Sequence, residues 1–303
     1  MNKNRLGNSD LYVSEIGFGC MSLGMDQPSN EKLIHYAIDQ GINFFDTADL
    51  YQRGWNEESV GKALHGKRNN VILASKGGNE WKSNGEGWQW NPSKQHIKTA
   101  LKESLRRLNT DYLDLYQLHG GTIDDPIGET IEAFEELVQE GTVRYYGISS
   151  IRPNVIKSYL KESNIVSIMM QYSLLDRRPE EFMPYIEEHN VSIIARGPVA
   201  KGHLTERYKR KLTSDGYLTY SEQELKEMIS NLLEKANDKG LTLEQLALRY
   251  VIDHSAVVTT IPGASSIEQL ERNISAAFVD TLSEEELVAL GAVTNQIKYD
   301  KHR

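Results

Sequence analysis

Residues 42–51 read Ile42-Asn43-Phe44-Phe45-Asp46-Thr47-Ala48-Asp49-Leu50-Tyr51, a short apolar run of strand character that stops on a carboxylate. Two later stretches repeat the plan. Residues 71–74 are apolar and lead into Ser75-Lys76, and residues 112–118 lead into His119. Polar stretches with apolar residues at helical spacing lie between them. A series of strands that each deliver a titratable side chain at the carboxyl end is how a parallel α/β barrel builds one reactive face.

Outward from these three runs the alternation continues. Strands are expected at residues 15–18, 43–46, 71–75, 112–118, 143–148, 168–171, 191–195 and 257–261, with amphipathic stretches between them. A hairpin precedes them, residues 3–6 against 12–14, turned at Gly7-Asn8-Ser9-Asp10. Eight βα units fit a closed (β/α)8 barrel better than an open sheet, so residues 1–303 are expected to form one barrel domain with an N-terminal hairpin and extra C-terminal helices. Asn91-Pro92 and Asp125-Pro126 each place a capping side chain before a proline suited to a first helical turn. Gly41, Gly141 and Gly240 follow helical stretches, where a left-handed residue is wanted. Residues 77–90 and 197–221 exceed ordinary loop length and both follow strands, which puts both on the reactive face.

Hydrophobic residues make up 39% of the chain and charged residues 25%, within the range of globular proteins. The net charge of −9 argues against nucleic acid as the main ligand. No apolar run approaches the roughly 20 residues of a spanning helix. The polar first ten residues lack the apolar segment of a secretory signal. A cytoplasmic location with no membrane partner is therefore expected, and a single cysteine, Cys20, suits a reducing compartment. The cluster Arg207, Lys209, Arg210 and Lys211 has two readings, a solvated loop or a lid that neutralises phosphates.

Asp46, Tyr51, Lys76 and His119 together make a kit for protonating a carbonyl. A free phenol titrates near about 10, so as a proton donor at neutral pH it needs a neighbouring cation to stabilise its anion. Bringing its titration down by two or three pH units takes roughly 3 to 4 kcal/mol of such stabilisation. Lys76 is positioned in the pattern to supply that charge, and Asp46 to keep it protonated. A histidine ring N–H can orient the substrate oxygen. None of these groups supplies the two electrons of a carbonyl reduction, so a cofactor must bring the hydride.

With these residues in place the sequence resembles the aldo-keto reductases. The resemblance rests on Gly17-Phe18-Gly19, Asn43 to Tyr51, Ser75-Lys76, Leu113-Asp114-Leu115-Tyr116-Gln117-Leu118-His119, Gly141 to Ser149, Gln171-Tyr172-Ser173, and Ile261-Pro262-Gly263-Ala264 with Asn273 downstream. It implies a (β/α)8 barrel in which Asp46, Tyr51, Lys76 and His119 are the catalytic tetrad, Tyr51 the general acid and NADPH the hydride donor, with NADH also open. It also implies cofactor contacts. Ser149 and Gln171 match positions that hydrogen-bond the nicotinamide carboxamide, Gly19 and Cys20 match the strand-end turn beneath the ring, and Asp46 is also among the implied cofactor contacts. Gly197, Pro198, Val199, Lys201 and Gly202 match the loop along the pyrophosphate. Gly263, Ser265, Gln269, Arg272 and Asn273 match the adenosine end, beside a helix expected to begin near Ser266.

The chain departs from the family pattern at several of these places. Ser150 replaces a common asparagine, and Arg196 a tyrosine that stacks on the nicotinamide. Arg272 stands where a glutamate is common, and Ser265 where relatives often carry a phosphate-binding arginine. Lys201-Gly202-His203 lacks the usual apolar third residue. A guanidinium plane at Arg196 can also stack.

Trp55 and Trp88 are candidates to line a substrate pocket, with covering the barrel core as the alternative; Trp81 and Trp90 fit the second role better. Cys20 reads as a small buried hydrophobe. His35, His65, His96, His189, His254 and His302 show no metal spacing, and no metal site is expected. The expected function is reduction of a small-molecule aldehyde or ketone. The alternative is a cofactor-sensing regulatory subunit like the potassium-channel β subunits, which would need an exposed apolar patch for its partner. An aldolase using Lys76 as a Schiff base leaves Tyr51, His119, Ser149 and Gln171 without roles.

Overall fold

The computed structural model describes residues 1–299 and 303. Eight parallel strands follow one another in chain order: β1 (Phe18–Gly19), β2 (Phe44–Asp46), β3 (Ile72–Gly77), β4 (Leu113–Leu118), β5 (Val143–Ser149), β6 (Ser167–Gln171), β7 (Ser192–Arg196) and β8 (Val257–Ile261). The last meets the first through a parallel bridge between Ile16 and Thr260. There Gly17 N–H donates to the Thr260 oxygen at 2.8 Å and Thr260 N–H to the Glu15 oxygen at 3.0 Å, which closes the sheet into a barrel. Closure is tight enough that a Cβ on Gly19 would lie 2.8 Å from the Ile261 carbonyl oxygen. The first strand is shorter and later than the expected 15–18. Residues 15–17 bond toward β8 and, through Glu15 N–H and the Asn2 oxygen at 3.0 Å, back to the hairpin, and a ladder with β2 begins only at the pair Phe18 and Phe45.

Around the barrel run α1 (Gln27–Asp39), α2 (Trp55–Ala63), α3 (Lys94–Leu108), α4 (Ile127–Gln139), α5 (Pro153–Glu162), α6 (Met183–Glu188), α7 (Glu222–Asp238), α8 (Leu243–Ile252), α9 (Ile267–Ser275) and α10 (Glu284–Gly291). Both α7 and α8 lie between β7 and β8, and α10 follows the eighth βα unit. The twofold side-chain period of the strands divides the core. Phe45, Leu73, Tyr116, Ile168 and Ile193 face the helices. Phe44, Ile72, Ala74, Leu115 and Ile194 face inward and pack with Leu6, Leu11 and Val13. These last three belong to the expected hairpin, in which Lys3–Arg5 pairs antiparallel with Tyr12–Ser14. The hairpin thus plugs one end of the barrel and leaves the carboxyl ends of the strands to form the other.

The local expectations are refined at three places. α3 is capped by Ser93, whose side chain accepts from His96 N–H. Asn91 instead accepts from Ser93 N–H at 3.2 Å and Ser93 Oγ at 2.7 Å, a turn that leads into the cap. Asp125 does not cap α4, because its oxygens take the Thr122 N–H at 2.6 Å, the Thr122 hydroxyl at 2.7 Å and the Trp90 indole N–H at 2.8 Å. The stretch 77–90 is a two-stranded ribbon, Asn79–Trp81 against Trp88–Trp90. Gly41, Gly141 and Gly240 do take left-handed backbone after their helices, with φ of +93°, +75° and +67°. Among the described residues no helix is long and apolar enough to cross a membrane.

Candidate active site

The same twofold period that places Phe44, Ile72, Ala74 and Leu115 inside the barrel makes Asp46, Lys76 and Gln117 the next inward residues of β2, β3 and β4. All three are buried. Lys76 Nζ donates to Asp46 Oδ2 at 2.6 Å, to the Thr47 carbonyl oxygen at 2.8 Å and to Tyr51 Oη at 3.2 Å, so its three protons are all committed. Gln117 Nε2 donates to the other Asp46 oxygen at 3.3 Å. Burial raises the Asp46 carboxyl, with Lys76 opposing. Burial also works against the lysine's charge, yet Asp46 and Tyr51 outweigh it and Lys76 holds its proton above the ordinary range.

Tyr51 reaches this ammonium from the loop after β2. Directly behind it Gln52 and Arg53 both take left-handed backbone, at φ of +50° and +57°, which costs roughly 1–2 kcal/mol for each side-chain-bearing residue. Neighbours hold the turn. Gln52 Nε2 donates to the Leu23 oxygen at 2.9 Å, while Asn56 donates to the Cys20 oxygen at 2.8 Å and accepts from Thr47 Oγ1 at 2.7 Å. His119, one residue past β4, stands edge-on to Tyr51 with ring centroids 5.9 Å apart. Burial, with the charges of Lys76 and Arg196 adding, depresses its imidazole to about 3, so the ring is neutral. Nδ1 is buried with no partner among the described residues, which leaves Nε2 as the nitrogen open to the cavity.

These four residues line a cavity of about 1070 Å³. Of the other expected positions, Gly19, Ser149, Gln171, Arg196, Gly197, Pro198, Val199, Lys201, Gly202, Gly263, Gln269, Arg272 and Asn273 also line it. So do Arg207, Arg210 and Lys211, which favours the lid over the solvated loop for that cluster; Lys209 stands outside. Gln171 is oriented by partners with fixed roles. Arg196 Nη1 donates to its Oε1 at 3.0 Å, and its Nε2 donates to Asp176 at 3.0 Å and Tyr217 Oη at 3.2 Å. Both amide protons are used and one lone pair of Oε1 remains.

Four expected positions are not in the wall. Trp55 opens α2 and Trp88 lies on the ribbon, half exposed, so neither reaches the cavity. Cys20 is buried with Sγ turned to the Phe18 oxygen at 3.7 Å, and burial pushes its thiol up. Ser265 is exposed and bonds Gln269 Oε1 through its N–H at 2.8 Å and its hydroxyl at 3.0 Å. α9 begins where expected, with Ser266 as its cap. Lining residues missed in the sequence include Met21, Leu50, Tyr217, Glu206 and Glu244. Tyr217 and Glu206 lie in the long loop after β7, and their place depends on how that loop folds back. Among the described residues no cluster of three His, Cys, Asp or Glu is placed to hold a metal; His302 lies outside the described residues.

A buried ammonium bonded to a phenol, a neutral imidazole beside it, and a long wall that turns cationic suit proton transfer next to an anionic ligand. The comparisons with known proteins agree with that chemistry. The sequence model described as Aldo/keto reductase family matches residues 15–295. Over 307 aligned residues the chain is 56% identical to the uncharacterized oxidoreductase YqkF of Bacillus subtilis (strain 168), covering 100% of both. Among solved structures it superimposes on the holo form of aldo-keto reductase AKR11C1 from Bacillus halodurans with a TM-score of 0.94 at 56% identity, covering 100% of this chain and 99% of that one. An aldo/keto reductase from Klebsiella pneumoniae, solved in complex with NADP and acetate, matches with a TM-score of 0.79 at 30% identity over 99% of this chain and 98% of that one. With the barrel, the quartet and the family model all coinciding over the same residues, this chain belongs to the aldo/keto reductase family.

Proposed function

We propose that the protein is an NADPH-dependent reductase of small aldehydes or ketones in which Tyr51 protonates the carbonyl oxygen. The observation that carries this is the Lys76 ammonium, held by Asp46 and Thr47 and donating its third proton to Tyr51 Oη. The residues along the wall fit a nicotinamide dinucleotide. Ser149 and the free lone pair of Gln171 Oε1 suit the carboxamide, Arg196 the ring, the 197–202 loop the pyrophosphate, and Arg207, Arg210, Lys211 and Arg272 the adenosine phosphate. The related Klebsiella protein was solved with NADP, which supports the same cofactor here. When bound, that cofactor supplies the hydride.

The remaining work falls to the chain. His119 is neutral, and a proton on Nδ1 would be a buried donor with nothing to accept it. The proton therefore sits on Nε2, where it hydrogen-bonds the carbonyl oxygen and holds it next to Tyr51. As negative charge develops on that oxygen, Tyr51 gives up its proton and the phenolate is stabilised by Lys76 at 3.2 Å. Asp46 keeps Lys76 charged throughout, so it is a positioning residue. Tyr51→Phe should lower turnover of an aldehyde panel by about 10²- to 10⁴-fold, measured as NADPH oxidation, with the Kd of NADPH within about twofold of wild type. Near wild-type turnover in that variant would remove Tyr51 as the acid.

A further inference from the structure

The cations that act on Asp46 and His119 are Lys76 and Arg196. A second charged region of the cavity wall contains Lys201, Arg207, Arg210, Lys211 and Arg272, and among them stands one buried carboxylate, Glu244. Glu244 lies in the first turn of α8 and is 3% exposed. Its Oε1 accepts from the Glu206 backbone N–H at 3.1 Å, pinning the loop that carries Arg207 and Arg210 over the helix. Its Oε2 is buried and has no partner among the described residues. The cation facing it is Arg272, whose Nε stands 3.8 Å from Oε1, beyond hydrogen-bond distance.

A desolvated carboxylate with an empty oxygen draws strongly on whatever cation it faces. Burial, with the charge of Glu206 adding, works against its ionised form, and the Glu206 N–H and the charge of Arg272 are among the groups that sustain it. A phosphate arriving at Arg272 would therefore meet a cation already shared and a like charge behind it. A ribose hydroxyl at the same place would meet neither penalty.

We propose that Glu244 is a specificity-determining residue that competes with the 2′-phosphate of the dinucleotide for Arg272 and so moderates the preference for NADPH over NADH. This rests on the cavity being the dinucleotide site. Glu244→Gln retains an acceptor for Glu206 N–H and removes the charge. Dissociation constants of NADPH and NADH, measured by quenching of tryptophan fluorescence on the full chain, should show NADPH binding about tenfold tighter in the variant and NADH changed by less than about twofold. In an Arg272→Gln background the same substitution should have no such effect. Glu244→Asp, which withdraws the charge by one methylene, should move the ratio in the same direction by a smaller factor, and it decides the matter if Glu244→Gln does not fold. An unchanged NADPH-to-NADH ratio in a folded variant, or a full effect without Arg272, overturns the proposal. Failure of the wild-type chain to bind either nucleotide would instead overturn the function proposed above.

Discussion

Asp49, two residues before Tyr51, shows how burial changes a side chain whose sequence position says little. Its Oδ1 is buried without a partner among the described residues, and burial, followed by the nearby charge of Glu57, raises its carboxyl to about 8. Arg107 pulls the other way but is engaged with Glu57 at 2.7 Å. An unfolded aspartate titrates near about 3.9, so between roughly pH 4 and 8 the folded chain holds a proton that the unfolded chain has released. Stability from this group is therefore full below about pH 4 and is lost as pH rises toward 8. Asp49→Asn should be more stable than wild type by a margin that grows between about pH 5 and pH 8 in thermal melts. A constant margin would mean that the carboxyl is ionised in the fold. The catalytic candidates were legible because Asp46, Lys76 and His119 each end an apolar run, and because Tyr51 follows one at short range. Glu244 was not. It looks like any acidic residue in a helix first turn until the 205–207 loop lies across it. Trp55 and Trp88, large aromatics near strand ends, suggested a pocket from the sequence, whereas α2 and the ribbon place them outside the lining of the cavity.

Elements were readable where one local pattern had one solution. The strands from β2 to β8 follow from apolar runs and the twofold period, whereas β1 depends on which side of a closing barrel residues 15–17 bond. The 77–90 ribbon was missed because its two strands are only three residues each, Asn79–Trp81 and Trp88–Trp90, and pairing Trp81 with Trp88 needs the turn between them. Helix packing imposes its own demands. Gly61 sits inside α2, where a Cβ would lie 2.5 Å from the Leu108 carbonyl oxygen at the end of α3. Alanine normally stabilises a helix interior by roughly 0.5–1 kcal/mol over glycine. Here the overpacking cost, typically about 1–3 kcal/mol, should win. Gly61→Ala is expected to lower the urea midpoint with an unchanged m-value, and an increase would show that α2 can shift away from α3 at little cost.

For the molecule as a whole, the hairpin divides labour between the two ends of the barrel. Leu6 is fully buried among inward strand residues far in sequence from it, including Ile194 and Val258. Leu6→Ala should cost about 2–5 kcal/mol in chemical denaturation. The Kd of NADPH should stay within about twofold, because no residue of the hairpin lines the cavity. A large loss of affinity in the folded variant would show that the two ends are coupled. Closure of the sheet has a further consequence for biosynthesis. The bridge from Ile16 to Thr260 joins the earliest part of the barrel to one of the latest. Until the ribosome has released β8, the emerging chain carries a sheet with two unsatisfied edges and a hairpin with an incomplete barrel to plug. Chains released before Thr260 should therefore be caught by chaperones or aggregate, and the cavity, whose walls draw on both β1 and β8, should come into being only when synthesis is nearly complete.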